Sequence, residues 1–234
     1  MTSPIETILG HEFARADLLR EAMTHRSALY GRRRRRAGPS NERMEFIGDR
    51  VLGLLIAEWL VERFPGEQEG ALASRLAQLV SQPVVATIAK ENGLGDALSI
   101  APNEDRAGVR RRATVLADAL EAAIGALYTD GGLGPARAFV RRVWAKVVEE
   151  QQEPPKNPKS VLHEWAMARA LGLPEYAIET HSGPPHSPRF VINVTVGGLT
   201  GTGTAGSKRA AEQLAAEDLL RALGAPVPRM LAGS

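Results

Sequence analysis

A polar, proline-rich segment divides this chain into two parts. From Glu149 to Lys159 the sequence contains three prolines and no other apolar residue. Such a segment has no period on which a helix or a strand could build a core, so it predicts a linker at residues 151–159. A length of 234 residues is enough for two modest domains beside that linker. The predicted remaining segments are an N-terminal domain, a C-terminal domain and a C-terminal tail, at residues 1–150, 160–225 and 226–234.

The part before the linker carries the periodicity of amphipathic helices. Apolar residues recur every three or four positions in long segments that are separated by turn signals, Pro65-Gly66 and Gly131-Gly132. The sequence therefore predicts an all-α domain, a helical bundle, with its long helices at Asn41–Phe64, Gly70–Asn92, Ala113–Thr129 and Pro135–Glu150.

The part after the linker mixes both periods. Helical patterns cover Ser160–Leu171 and Ser207–Leu223, and the second of these places on one side Ala211, Leu214, Ala215 and Leu219. Between them, three segments alternate as strands do, and Gly197-Gly198 predicts a hairpin turn between the last two. The predicted fold is a small α+β domain of order α-β-β-β-α, with strands at Tyr176–Thr180, Arg189–Val196 and Leu199–Thr204. In the middle strand one face is formed by Phe190, Ile192, Val194 and Val196.

Composition excludes several classes of protein. The chain has no cysteine, which excludes disulfides, thiolate metal sites and cysteine nucleophiles. Its longest apolar stretches, such as Val51–Ala57, are far too short to span a membrane. The first residues contain neither a basic segment nor an apolar one of the kind found in signal peptides. We therefore expect a cytoplasmic protein with no membrane partner.

Positive charge is clustered rather than abundant. Lysine and arginine exceed aspartate and glutamate by only two residues. The basic residues nevertheless form runs at Arg32–Arg36, Arg110–Arg112 and Lys208-Arg209. Such runs favour a polyanionic partner, although solvated loops are an alternative for any single run.

Carboxylates interrupt the apolar faces of two predicted helices. Glu42, Glu45 and Asp49 are spaced by three and four residues, and the same face continues with apolar residues at Leu52, Ile56 and Trp59. In the third helix, Asp118 and Glu121 are the only charged residues between Arg112 and Asp130. Both sets of acids are therefore expected near the protein core.

Acids in such positions need compensation, because burial and mutual repulsion both disfavour the ionised form. Carboxylate oxygens are hard ligands, which favours Mg²⁺ or Mn²⁺. The absence of cysteine and of any Glu-x-x-His pair weakens zinc and argues against a di-iron carboxylate bundle. Structural ion pairs with arginines such as Arg43 or Arg112 are the alternative.

These acidic segments carry a family resemblance. The segment Asn41–Leu52 resembles the signature helix of bacterial ribonuclease III, and Leu116–Ala122 resembles its second acidic motif. Thr24–Ser27 and Glu69–Leu72 match further family segments in the same order. The resemblance implies a homodimeric, metal-dependent endonuclease that hydrolyses both strands of double-stranded RNA. It also implies 5′-phosphate and 3′-hydroxyl ends, and the processing of ribosomal RNA precursors.

The resemblance assigns roles to individual positions. The residues that match the metal ligands of the family are Glu45, Asp49, Asp118 and Glu121, with Asp49 and Glu121 as the catalytic pair. Glu42 and Glu69 match acids associated with substrate contact, and Phe46 matches an aromatic residue at the dimer contact. Surface helix acids and an ordinary core phenylalanine are the alternatives for these three. Thr24–Ser27 is interpreted as structural, because Ser27 and His25 have no evident triad arrangement.

The second domain resembles the double-stranded RNA-binding domain in Pro158–Trp165 and Gly203–Glu212. This resemblance implies contacts from the first helix to one RNA minor groove and from the following loop to the next, through Ser160, His163, Glu164 and His186. Lys208 and Arg209 open a helix, where cations oppose the helix dipole unless a phosphate binds there. Glu212 stands where many such domains have a lysine, which predicts a weaker hold on phosphate.

Two other functions compete with a nuclease. A noncatalytic relative that binds double-stranded RNA or associates with the ribosome would keep both folds, but all four ligand positions argue against it. A small-molecule hydrolase that uses the same acids would leave the second domain and the basic clusters unexplained.

Overall fold

A computed structural model describes residues 3–29, 38–155, 157–184 and 188–227. They form two compact units, one within Met1–Pro154 and the other within Pro155–Ala232. The arginine run Arg32–Arg36, His186 and most of the predicted tail lie outside the described residues. No helix in the described part of the chain has the length and apolarity needed to cross a membrane.

The first unit is helical, as its periodicity predicts. Short 3₁₀ turns at Arg26–Leu29 and Val109–Arg111 accompany its α-helices. The α-helices are α1 (Pro4–Leu9), α2 (Ala16–Ala22), α3 (Glu42–Arg63), α4 (Glu69–Leu79), α5 (Gln82–Glu91), α6 (Leu94–Ala97), α7 (Pro102–Arg106), α8 (Ala113–Gly131) and α9 (Leu133–Glu150).

One predicted helix is wrong. The pattern from Gly70 to Asn92 predicts a single helix, but the chain forms α4 and α5 with a break at Val80 and Ser81. Pro83 explains the break, because a proline has no backbone N–H and is tolerated only in the first turn of a helix. The apolar period continues across the break because both helices face the same core.

Helix α8 is the centre of the first unit. Every residue from Ala122 to Leu127 is buried, and α2, α3, α5 and α9 all pack against this helix. Its small side chains let these neighbours approach closely, so Asp118 and Glu121 enter a largely apolar environment.

A buried arginine fixes the end of this unit. Arg75 on α4 is fully buried and donates two hydrogen bonds to Glu67, at 2.8 and 2.7 Å. Its remaining N–H groups donate to the backbone carbonyls of Gln151 and Gln152, at 2.5 and 3.4 Å. The first residues of the predicted linker are therefore held on the helical unit.

The second unit has the predicted element order. Its elements are α10 (Pro158–Met167), β1 (Glu175–Ser182), β2 (Arg189–Val196), β3 (Leu199–Ala205) and α11 (Lys208–Ala222). The strands form an antiparallel sheet of order β1-β2-β3, in which Ile192 pairs with Ile178 and with Gly203. Ile192, Val194 and Val196 are buried against α11, as the alternation predicts.

Helix α11 departs from the prediction at one position. Ala211, Ala215 and Leu219 face the core, but the side chain of Leu214 is 39% exposed. The buried side is narrower than expected because α11 lies directly on β3. A Cβ atom added to Gly203 would lie 2.2 Å from the carbonyl oxygen of Ala211. This close approach requires a glycine at position 203.

Candidate active site

Two glycines bring the acid-bearing helices together. A Cβ atom on Gly48 of α3 would lie 1.7 Å from the carbonyl oxygen of Glu121 on α8. A Cβ atom on Gly125 of α8 would lie 2.1 Å from the carbonyl oxygen of Met44 on α3. The two backbones are therefore in direct contact, which only glycine permits at these two positions. As a result, acids on α3 and α8 face each other across a very short gap.

Three of the predicted ligands form a cluster. Glu45, Asp118 and Glu121 each offer a carboxylate oxygen, and these oxygens lie within 4.8 Å of one another. Asp49 is not part of this group, because its half-exposed carboxylate pairs with the guanidinium group of Arg50. The structure thus brings together three of the four acids and leaves the fourth at the edge of the site.

The cluster disfavours its own negative charge. Burial, reinforced by the charges of Asp49, Glu45 and Asp118, raises the pKa of Glu121 to about 7. Burial also raises the pKa of Glu45 and of Asp118 above their ordinary values. Three acids with raised pKa values in one place indicate a site whose negative charge the described basic residues do not balance.

Nearby basic residues among those described compensate the charge of the cluster only in part. In the described part of the chain, none of the three clustered acids takes part in an ion pair. The alternative of structural ion pairs with Arg43 or Arg112 is therefore unsupported for them. An oxygen-only set of donors, raised pKa values and no ion pair together fit a hard divalent cation.

The segment Thr24–Ser27 positions the start of α3. The carbonyl oxygen of Thr24 accepts a hydrogen bond from the backbone N–H of Asn41, the residue before α3, at 2.9 Å. The hydroxyl of Ser27 is buried, lies 2.8 Å from Nδ1 of His25 and accepts from the N–H of Ala101 at 3.2 Å. These contacts support a structural role for the segment.

The remaining predicted residues of this unit are at the surface. Glu42 accepts a hydrogen bond from the hydroxyl of Ser40 at 2.8 Å and lies 4.0 Å from Arg26. Glu69 is exposed at the first residue of α4. Phe46 is 64% exposed, with the guanidinium carbon of Arg50 4.4 Å from the centre of its ring. The alternative of an ordinary core phenylalanine is therefore excluded within this chain, and the contact of Phe46 with a partner chain stays a prediction.

In the second unit, the predicted RNA contacts on two helices are exposed. They are Ser160, His163 and Glu164 on α10 and Lys208 and Arg209 at the start of α11. Ser160 and His163 line a groove of about 300 Å³ together with Lys159, Leu173, Pro174 and Tyr176. His186 lies outside the described residues.

Comparison with known proteins identifies both units. The family model described as Ribonuclease-III-like matches residues 15–147, and the double-stranded RNA binding motif matches residues 158–223. The chain belongs to the ribonuclease III family. Ribonuclease 3 of Dinoroseobacter shibae is 44% identical over 91% of this chain and 91% of its own. Ribonuclease 3 of Bradyrhizobium diazoefficiens is 41% identical over 94% of this chain and 88% of its own.

A solved structure gives the same result for the first unit. The nuclease domain of ribonuclease III from Campylobacter jejuni is 34% identical, with a TM-score of 0.56, over 62% of this chain and 97% of that one. Ribonuclease III enzymes are metal-dependent endonucleases that act on double-stranded RNA, so the predicted family, fold and enzyme class are confirmed. A noncatalytic relative is not favoured.

Sequence reasoning missed the two glycines of this ribonuclease III site. It gave no role to Gly48 or Gly125, although a glycine inside a helix costs about 1 kcal/mol relative to alanine. Each glycine lies three or four residues from a predicted ligand. A glycine that lowers helix stability and lies within one turn of a predicted metal ligand was therefore the feature of the sequence that indicated this contact.

Proposed function

We propose that this ribonuclease III hydrolyses phosphodiester bonds in both strands of an RNA duplex with the help of Mg²⁺, and leaves 5′-phosphate and 3′-hydroxyl ends. The observation that carries this proposal is the cluster of Glu45, Asp118 and Glu121, whose carboxylates form no ion pair with the described residues. A duplex-binding unit in the same chain would bring the substrate to this cluster.

Four residues would hold the metal in this proposal. Glu45, Asp118 and Glu121 are already close together, and Asp49 would complete the set by turning from Arg50 towards Glu121. The pKa of Glu121 supports this, because Asp49 is the first of the charges that raise it after burial. Bound Mg²⁺, or Mn²⁺ as a substitute, would neutralise the phosphate, activate a water molecule and stabilise the leaving 3′-oxygen.

We also propose a homodimer that places one active site on each RNA strand. Three apolar side chains on one face of α3 are more than half exposed, namely Phe46, Leu54 and Val61. A helix face of this kind is typical of an interface with another chain. The nuclease domain from Campylobacter jejuni likewise has a region that is involved in dimer formation. Phe46, at one end of this face, would then contact the partner chain.

The second unit would hold the duplex. Ser160, His163 and Glu164 would contact one minor groove, His186 the next, and Lys208 with Arg209 the phosphates between them. Exposure of the five described residues supports this arrangement.

Glu42 and Glu69 would contact RNA near the active site. Ribosomal RNA precursors and other structured transcripts in the cytoplasm are the proposed substrates.

Cleavage of a labelled RNA duplex tests the proposal. We expect staggered cuts in both strands with Mg²⁺ or Mn²⁺, none with EDTA, and no cleavage of either strand alone. The products should be substrates for an enzyme that requires 5′-phosphates. Tight binding without cleavage in Mg²⁺ would instead support the noncatalytic alternative, and cleavage in EDTA would contradict a role for the metal.

A further inference from the structure

One carboxylate in the second unit faces two lysines. Nζ of Lys159 on α10 lies 2.6 Å from Oε2 of Glu212, and Nζ of Lys208 lies 3.9 Å from Oε1 of the same residue. Both oxygens of Glu212 are thus directed at ammonium groups. The side chain of Glu212 is only 15% exposed, whereas that of Lys208 is 60% exposed.

The surroundings strengthen the closer of these contacts. Nζ of Lys159 also lies 4.5 Å from the centre of the Tyr176 ring, so the ammonium group is partly shielded from water. The hydroxyl of Tyr176 is buried and has no hydrogen-bond partner among the described residues. An ion pair beside an apolar ring is less screened by solvent than one on an open surface.

The contact to Lys208 is loose. A separation of 3.9 Å is longer than a hydrogen bond, and most of the Lys208 side chain is in water. Lys208 can therefore exchange Glu212 for another anion at little cost. An RNA phosphate offers the same chemistry as Glu212, because it too presents oxygens that share a negative charge to an ammonium group.

We propose that Glu212 is an internal competitor of the RNA phosphate, which holds Lys159 and Lys208 in the free protein and lowers the affinity of the second unit for duplex RNA. This inference rests on the proposed function, in which Lys208 contacts phosphate. Glu212 is then a residue that sets affinity, and it acts through the two lysines without touching RNA. Weak binding by this unit would favour duplexes that also fill the nuclease site.

Substitution of the carboxylate by its amide tests the proposal. We expect Glu212→Gln in the full chain to bind a short RNA duplex about three- to tenfold more tightly in EDTA, where no cleavage occurs. The dependence of binding on salt should also become steeper, by up to about 0.9 in log–log slope, because Lys159 becomes available to a phosphate in addition to Lys208. A purely structural ion pair between α10 and α11 predicts a lower melting temperature with no steeper slope.

Glu217→Gln is the matched control. Glu217 lies on the same helix, pairs with Arg221 at 3.2 Å with the same spacing of four residues, and its substitution changes the charge equally. We expect less than a twofold effect on binding. An equal gain in both variants would overturn the proposal, because general charge would then explain it. If Glu212→Gln melts below the assay temperature, all three proteins are titrated at a temperature below its melting point, and the same outcomes decide.

Lys208→Ala separates this proposal from the proposed function. Suppose that Lys208→Ala has a shallower salt dependence while Glu212→Gln keeps the affinity and slope of the wild type. The role of Glu212 as a competitor is then wrong, and the phosphate contact of Lys208 stands. If Lys208→Ala has no effect on binding, the phosphate site itself is wrong, and the competitor is wrong with it.

Discussion

Glu121 and Glu212 are partly buried glutamates on helices of the two units, but their surroundings are opposite. Glu121 is surrounded by Asp49, Glu45 and Asp118, and its pKa is raised to about 7. Glu212 faces Lys159 and Lys208. A buried carboxylate needs compensation in either case. Glu212 is paired with lysines of its own unit, so it can only compete with an external anion for them. Glu121 has no such partner among the described residues, so it is available to an external cation.

The largest effect is expected when the charge of Glu121 is removed. We expect Glu121→Gln to lower the rate of duplex cleavage about a thousandfold or more, because a lost metal ligand removes several kcal/mol of transition-state stabilisation. Duplex binding and dimerisation should stay nearly unchanged. In contrast, Glu212→Gln should tighten binding and leave the chemical step intact. Single-turnover cleavage and binding titrations measure the two effects separately.

The stability of Glu121→Gln provides a second readout. Removal of a repelled carboxylate should leave the metal-free melting temperature unchanged or raise it, whereas a broken buried ion pair would cost about 3–5 kcal/mol. Glu91→Gln, at an exposed position, is the control. A variant that cuts near the wild-type rate, or melts far below it, would show that Glu121 is a structural residue.

Much of this site could be predicted because its proposed metal ligands are charged residues at positions where a helix normally carries apolar ones. Acids on an apolar helix face are costly, so Glu45, Asp118 and Glu121 were apparent from the sequence alone. The pairing of Asp49 with Arg50 was not, because a side chain of an exposed helix turn has several partners within reach. The contact of Arg75 with Gln151 joins residues 76 positions apart, and only the packed structure brings them together.

The close contact of α3 with α8 at Gly48 can be tested by adding one methyl group. Gly48→Ala keeps every carboxylate but places a methyl group against the backbone of Glu121, which cannot yield as a side chain would. We expect loss of cleavage together with a destabilisation of about 1–3 kcal/mol or more. Gly134→Ala, in α9 with no atom within 4 Å of the new methyl group, should be neutral or stabilising. An active, stable Gly48→Ala variant would mean that α3 and α8 are further apart.

Fragments of the chain test whether cleavage resides in the first unit and duplex binding mainly in the second. We expect residues 1–154 alone to fold and to cut a duplex weakly, with binding reduced about tenfold or more at physiological salt. The fragment 1–150 should be less stable, because it lacks the Gln151 and Gln152 carbonyls that accept hydrogen bonds from Arg75; unsatisfied buried donors cost about 1–3 kcal/mol. Urea unfolding compares the two fragments. Equal stability would show that these contacts contribute little.

The pH dependence of stability tests the charge of the acid cluster. The folded-state pKa of Glu121 is raised from 4.5 to about 7, so between these values the folded chain binds more protons than the unfolded chain. Its contribution therefore lowers the free energy of unfolding as pH rises through this window. The lowered pKa of His25 has the opposite sign, but it is common to wild type and Glu121→Gln. In EDTA, the advantage of the variant in melting temperature should grow from about pH 4.5 to about pH 7. A constant difference would contradict the raised pKa.

The smallest expected effect concerns the loosely held lysine of the second unit. Lys208→Ala should weaken duplex binding a fewfold and lower the salt slope by about 0.9, as expected for the loss of one phosphate contact. Cleavage by a saturated enzyme should be unchanged, because Lys208 lies in the duplex-binding unit and every proposed metal ligand precedes the linker. Lys146→Ala, on the exposed end of α9, removes the same charge from the nuclease unit and should leave the slope unaltered. If both variants lower the slope equally, the salt dependence reports the overall charge of the protein, and the phosphate-binding lysines must be sought elsewhere.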